Sequence, residues 1–211
     1  MRQAYALLGV LFIILMIGSA YAVNHSFIKP DDNKTVAQSE NRTMTAEKFE
    51  NKLQIRSSAF ENNAMIPSAY TCDGKREKNP PLEIVGVPAK TKTFALIMDD
   101  PDVPKERHPE GYYDHWIVFN ILPPADGQTL EIFEGGPIPG TQGANSAGEN
   151  VYSGPCPPPQ YEPSEHRYFF KLYALDSELL LSKEAAKSDV EQAMNGHILE
   201  EAQLIGRYKR K

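Results

Sequence analysis

The sequence predicts a mainly β domain of packed antiparallel sheets, with one or two short helices near the C-terminus. Three observations predict it. Apolar runs of strand length recur between long loops rich in Gly and Pro, strands do not alternate regularly with helices as a doubly wound α/β fold requires, and one helical pattern stands out close to the C-terminal end. The 211 residues are 41% apolar, enough for one medium domain with a true core and too few for a second enzymatic domain.

The chain opens with Arg2 and a mostly apolar stretch from Tyr5 to Gly18, followed by Ala20-Tyr21-Ala22. This reads as an export signal over residues 1–22, cut after Ala22. The rival reading is an uncleaved anchor, because Ala4 to Val23 carries no charge and matches the ~20 residues that span a bilayer as a helix. Both readings put the folded domain outside the cytoplasm, since no cluster of Lys or Arg follows the run to hold it inside. No cysteine follows either, so a lipoprotein is not expected.

Residues 23–50 are polar, without helical or strand period, and read as a tether. Asn24, Asn33 and Asn41 each begin an Asn-x-Ser/Thr sequon there. The domain itself takes residues 51–211. Leu53 to Ser57 alternates like an edge strand. Phe94 to Met98 is continuously apolar and fits a strand buried on both faces. Trp116 to Ile121 and Tyr168 to Tyr173 are two more central candidates. Ser182 is placed to cap a helix over Lys183 to Met194, with Gly196 just past its end, and a last strand around Ala202 to Tyr208 closes the chain. The stretch from Pro123 to Pro163 is too long and too rich in Gly and Pro for plain connection, and loops of that size are usually functional.

Five motifs carry charged or hydrogen-bonding residues beside Pro, Gly or aromatic ones: Asp100-Pro101-Asp102-Val103-Pro104, Asp114-His115-Trp116, Gly143-Ala144-Asn145-Ser146, Gly154-Pro155-Cys156-Pro157-Pro158 and His166-Arg167-Tyr168. They are expected to converge on one rigid polar pocket at strand ends. His115 and His166 supply ring N–H groups, Tyr168 a hydroxyl, and the turn at Gly154 to Cys156 backbone N–H groups. Asp100 then orients a histidine or accepts from the ligand. Such a set suits a small anion. The remaining residues have plainer readings. Asp102 is a turn former, Trp116 is core packing with a bonded indole, Arg167 is an ion-pair partner of an Asp or a ligand contact, and His197 belongs to the helix end.

In this order the motifs resemble those of the phosphatidylethanolamine-binding protein family, in its bacterial and archaeal Raf-kinase-inhibitor-like branch. The resemblance extends through Thr71-Cys72-Asp73-Gly74, Phe169 to Asp176 and Gly196-His197-Ile198-Leu199, over about residues 52 to 208. It implies that family's fold and a ligand pocket formed by Asp100, His115, Gly154, Cys156, Pro158, His166 and Tyr168. Three departures stand out. Cys156 occupies a position that is Gly in several eukaryotic members, the loop Lys105 to Tyr113 is longer than usual, and Glu162 and Glu165 bring acid near His166. Lys105, Arg107 and His108 either offset those acids or, as is commoner for exposed loop charges, are solvated surface. In an exported domain Cys72 and Cys156 invite a disulfide, but their motifs also occur in cytosolic relatives, so the pair is either bridged or reduced.

The function expected is that of an extracytoplasmic binding protein whose pocket takes phosphate or a phospholipid headgroup and which regulates a partner protein. The alternative is a protein inhibitor of a hydrolase or kinase that acts through a surface loop. A metal-dependent or acid–base hydrolase on Asp100, His115 and His166 ranks last, since no His-x-x-x-His, Gly-x-Ser-x-Gly or Gly-Lys-Ser/Thr motif is present. No catalytic residue, metal or cofactor is expected. Nucleic acid is excluded as a partner by the formal charge of −6 and a pI near 5.4. The membrane is a partner only through an uncleaved leader.

Overall fold

The computed structural model describes residues 52–125 and 129–210. The expected leader, tether and sequons lie outside the described residues. Among those described, nine strands form two sheets: β1 (Gln54–Arg56), β2 (Ala64–Met65), β3 (Leu82–Val85), β4 (Thr93–Asp100), β5 (Tyr113–Ile121), β6 (Leu130–Ile132), β7 (Thr141–Gln142), β8 (Glu165–Leu175) and β9 (Ile198–Lys209), with one α-helix, α1 (Lys187–Met194), between the last two. The smaller sheet runs β1-β3-β6. The larger runs β2-β9-β8-β4-β5-β7, antiparallel throughout except for the parallel contact of β2 with β9.

β4 lies third from the β7 edge of the larger sheet, and all eight of its residues are buried. That explains its unbroken apolar run. Phe94, Leu96 and Met98 face the smaller sheet and pack with Leu82, Ile84 and Ile132, while Ala95 and Ile97 face the other way, toward Val190 and Met194 of α1. Trp116 is fully buried and donates its indole N–H to Gln142 Oε1 at 2.9 Å, as its core reading requires. Burial of each such large side chain stabilises by about 1.5–3 kcal/mol.

The helix is shorter than the capping pattern predicts. Lys183 and Glu184 form a turn, and the Ala185 carbonyl accepts the Ala144 N–H at 2.9 Å, so this stretch is engaged by the neighbouring loop. Ser182 therefore does not cap the helix. Ala186 stands at the N-cap, and Asp189 reaches back to its N–H at 2.9 Å, the half of a capping box that needs no hydroxyl at the cap. The other end matches the expectation, with Gly196 at φ +81° just past the last turn. His197, assigned to that end, meets Asp176 Oδ1 at 2.8 Å. The sequence gives no clear signal for the short 3₁₀ turn at Ser68–Tyr70.

β9 pairs with β8 along nearly its whole length and buries Leu204 and Tyr208 in the core, while Ile205 lies half-buried on the other face. Removing residues 202–211 should therefore abolish cooperative unfolding. A chain that begins at residue 48 keeps every described element and should melt at the temperature of the full chain. A large drop from the N-terminal cut would show that the preceding residues belong to the fold.

Candidate functional site

Three strands bring the site together. Side chains on successive strand residues point to opposite faces, so on β4 Asp99 faces α1 and Asp100 faces forward. The same alternation on β8 turns His166 and Tyr168 forward and Arg167 and Phe169 back. β5 breaks the rule. Met98 is opposite Trp116 and Asp99 is opposite Asp114, so His115 is an extra residue in the ladder, a β-bulge. Strict alternation from Trp116 would send His115 backward. The bulge turns it forward, where its ring lies 5.1 Å from that of Tyr168, edge to face.

The forward residues line a cavity of about 260 Å³. Asp100, His115, Gly154, Cys156, Pro158 and His166 all reach it. Tyr168 does not. It is fully buried beneath the two histidines, its ring stacked 6.4 Å from His166, and its hydroxyl lies toward the Asp100 carboxylate. Burial first, then the nearby Asp100 carboxylate, hold that hydroxyl's pKa far above the ordinary tyrosine value.

Asp100 orients the floor. Its Oδ2 meets His166 Nδ1 at 2.7 Å and lies 3.9 Å from His115 Nε2, while its Oδ1 accepts the Asp102 N–H at 2.8 Å. His166 thus keeps a buried Nε2 without a partner. His115 Nδ1 donates to the Ser153 carbonyl at 2.5 Å, which fixes the ring and leaves Nε2 to act as acceptor when neutral or donor when protonated. Burial lowers the His115 pKa, and the Asp100 carboxylate and the Ser153 carbonyl recover part of that loss.

The Gly154 wall is fastened on its outer side. Gly154 donates to the Arg76 carbonyl at 2.7 Å, Cys72 donates to the Pro155 carbonyl at 3.1 Å, and a disulfide joins Cys72 to Cys156 with Cα atoms 5.3 Å apart. Of the two states the sequence left open, the bridged one is present. The bridge links residues 84 apart in the chain, so it restricts the unfolded chain strongly. It also brings Arg76 to the cavity, where Nε and Nη2 donate to Ser153 Oγ at 3.2 and 3.1 Å.

Arg76 and Tyr113 are the lining residues that sequence reasoning missed. The signal for Arg76 was its place four residues after Cys72. Arg107 and His108 do come to the cavity, on the long loop after Pro104, whereas Lys105 does not line it. Glu162 and Glu165 do not line it either: Glu162 accepts from the Ser164 N–H and Glu165 pairs with Arg207 at 3.0 Å. Arg167 takes the ion-pair role. Its backbone N–H, Nε and Nη2 all donate to the Asp102 carboxylate, so Asp102 anchors β8 while Asp100 forms the turn. The motif Gly143 to Ser146 stays outside the cavity and braces β5 along its edge, continuing from β7: the Ser146 N–H donates to the Asp114 carbonyl at 3.0 Å and the Asp114 N–H to Ser146 Oγ at 2.8 Å.

Comparison with known proteins covers nearly all of the described fold. A family model for phosphatidylethanolamine-binding protein matches residues 56–209. The chain is 45% identical over 160 residues to a UPF0098 protein of Methanothermobacter thermautotrophicus, covering 75% of this chain and 99% of that one. It is 42% identical to a UPF0098 protein of Chlamydia pneumoniae over 75% of this chain and 99% of the relative. Among solved structures, a phosphatidylethanolamine-binding protein homologue of Chlamydia trachomatis superposes with a TM-score of 0.70 at 39% identity, and YbcL of E. coli with 0.64 at 26%. Each covers 76% of this chain and 99% of its own.

Proposed function

We propose, for a chain that belongs to the phosphatidylethanolamine-binding protein family, that the cavity between Asp100, His115 and His166 binds a small phosphate-type anion. One observation carries this reading: the cavity is locally basic in an acidic protein. Two guanidinium groups, Arg76 and Arg107, and three imidazoles, His108, His115 and His166, line it with one carboxylate, Asp100, while Glu110, outside the lining, pairs with His108 at 3.4 Å. Held donors around a small cavity favour an anion, and His115 presents its Nε2 there as a further donor once protonated. About 260 Å³ suits a phosphate or a phosphorylated headgroup and is too small for acyl chains.

The chemistry favours binding over turnover. Asp100 is already engaged by His166 and by the Asp102 N–H, so it orients the site instead of standing free as a base. Location outside the cytoplasm is part of the same proposal. The apolar leader supports it, and so does the Cys72–Cys156 bridge, since such bonds persist in oxidising compartments. An intact-mass measurement on protein from its native host distinguishes a chain cut after Ala22 from one that keeps the leader.

Calorimetric titration tests the site. Inorganic phosphate and phosphoethanolamine should both bind with Kd near or below ~1 mM, worth about 4 kcal/mol, and phosphoethanolamine should be recovered unhydrolysed. No heat from either ligand at ~10 mM, well above that Kd, would reject the anion reading. Release of free phosphate would show an enzyme instead.

A further inference from the structure

Lys187, the first residue of α1, lies behind the larger sheet, on the face opposite the cavity, and is buried although charged. Its Nζ sits 2.6 Å from Asp99 Oδ2, 3.4 Å from Asp114 Oδ1 and 4.0 Å from the centre of the Tyr112 ring. Each of these partners immediately precedes a cavity residue. Asp99 precedes Asp100, Tyr112 precedes Tyr113, and Asp114 precedes His115. One ammonium group thus touches the back of both strands, β4 and the start of β5, at three residues whose next side chains form the front.

The contact also bears on the bulge. Asp99 and Asp114 are direct cross-strand partners, and like charges in that position repel. Asp99 keeps a buried Oδ1 that makes no hydrogen bond, the buried Asp114 Oδ1 is reached by Lys187 at 3.4 Å, and Glu191 adds further negative charge nearby. Lys171 reaches only Asp99, at 2.7 Å. Lys187 is therefore the cation between the two strands at the step where the ladder shifts to turn His115 forward.

We propose that Lys187 is a positioning residue for the cavity: from the back of the sheet it locks the segments that present Asp100, Tyr113 and His115, and it holds the bulge that aims His115 at the ligand. The affinity part of the test rests on the anion reading above; the imidazole part does not.

Lys187→Met and Lys187→Arg would be compared with Val190→Ala, a core change on the same helix. The readouts are the His115 and His166 imidazole NMR signals across pH without ligand, and calorimetric titration with sulfate. Lys187→Met should move the His115 signals and titration midpoint and weaken sulfate binding at least tenfold. Lys187→Arg should restore most of both, and Val190→Ala should lower the melting temperature while moving neither. Unchanged His115 signals in Lys187→Met, or equal changes in Val190→Ala, would overturn the proposal. Should the native protein bind no sulfate, the anion reading falls and the imidazole signals alone decide this one. Should Lys187→Met not fold, Tyr112→Leu takes its place, with the same direction of change and about a threefold loss of affinity expected. No movement of His115 in that variant would be equally fatal.

Discussion

Sulfate should bind more tightly as the pH falls through the histidine range, and His115→Ala should lose that dependence. The cause is the fixed tautomer. With Nδ1 of His115 committed to the Ser153 carbonyl, the neutral ring turns a lone pair, not a proton, on Nε2. A lone pair repels an anion; a protonated ring donates to it and attracts it. Each proton taken up with the ligand changes affinity by about tenfold per pH unit, or about 1.4 kcal/mol. Sulfate keeps its charge over this range, so the protons counted are the protein's.

Because burial lowers the His115 pKa, its share of the effect appears below the ordinary value of about 6.5. The same shift sets the sign for stability. The unfolded chain takes up this proton near the ordinary value and the folded one only at lower pH, so His115 contributes stability that is present above that value and is lost as pH falls. Bound sulfate favours the protonated ring, so the rise in melting temperature that it produces should grow as the pH drops. An affinity independent of pH in the unmodified protein, or a dependence that survives in His115→Ala, would remove His115 from the site.

Gly154→Ala should cost both stability and binding. A Cβ there would sit 2.6 Å from the Tyr70 carbonyl oxygen, 2.9 Å from that of Arg76 and 3.0 Å from Thr71 Cα. These are backbone atoms of a turn tied to the same wall by the disulfide and by the Gly154 N–H, so they have little freedom to retreat. Overpacking of this kind costs about 1–3 kcal/mol, and the upper end is expected. For a domain of this size that lowers the melting temperature by roughly 6–12 °C. Relief comes only by pushing the Gly154 to Pro158 wall into the cavity, so sulfate affinity should fall as well. A melting curve and a titration matching the unmodified protein would show that the wall is looser than its contacts indicate.

Much of the fold was legible because local chemistry and tertiary demand agree. Phe94 to Met98 is apolar at every position because β4 is covered on both faces, and Leu53 to Ser57 alternates because β1 is an edge strand of the smaller sheet. The helix start was misread because Ser182 satisfies the capping rule locally, while the preceding turn is claimed by a distant loop through the Ala144 N–H. Sequence ranks a cap by its own chemistry and cannot see that competitor.

By itself the sequence determined the fold class, the family through the order of its motifs, and the histidines, carboxylate and glycine turn that line one cavity. Those follow from residue type and from spacing along the chain. Only the tertiary structure decided which way they face and who joins them. A strand's period of two predicts a backward His115, and the extra residue in the β4–β5 ladder reverses it. Tyr168, a donor by type, is sealed under the two imidazole rings. Arg76 comes to the cavity because its turn is bonded to the Gly154 wall, and the Gly143 to Ser146 motif leaves it to brace Asp114. The physical reason is common to all four: a register shift, a ring stacked overhead, and bonds between segments far apart in sequence are properties of pairs of strands and loops, and no single stretch of chain carries them.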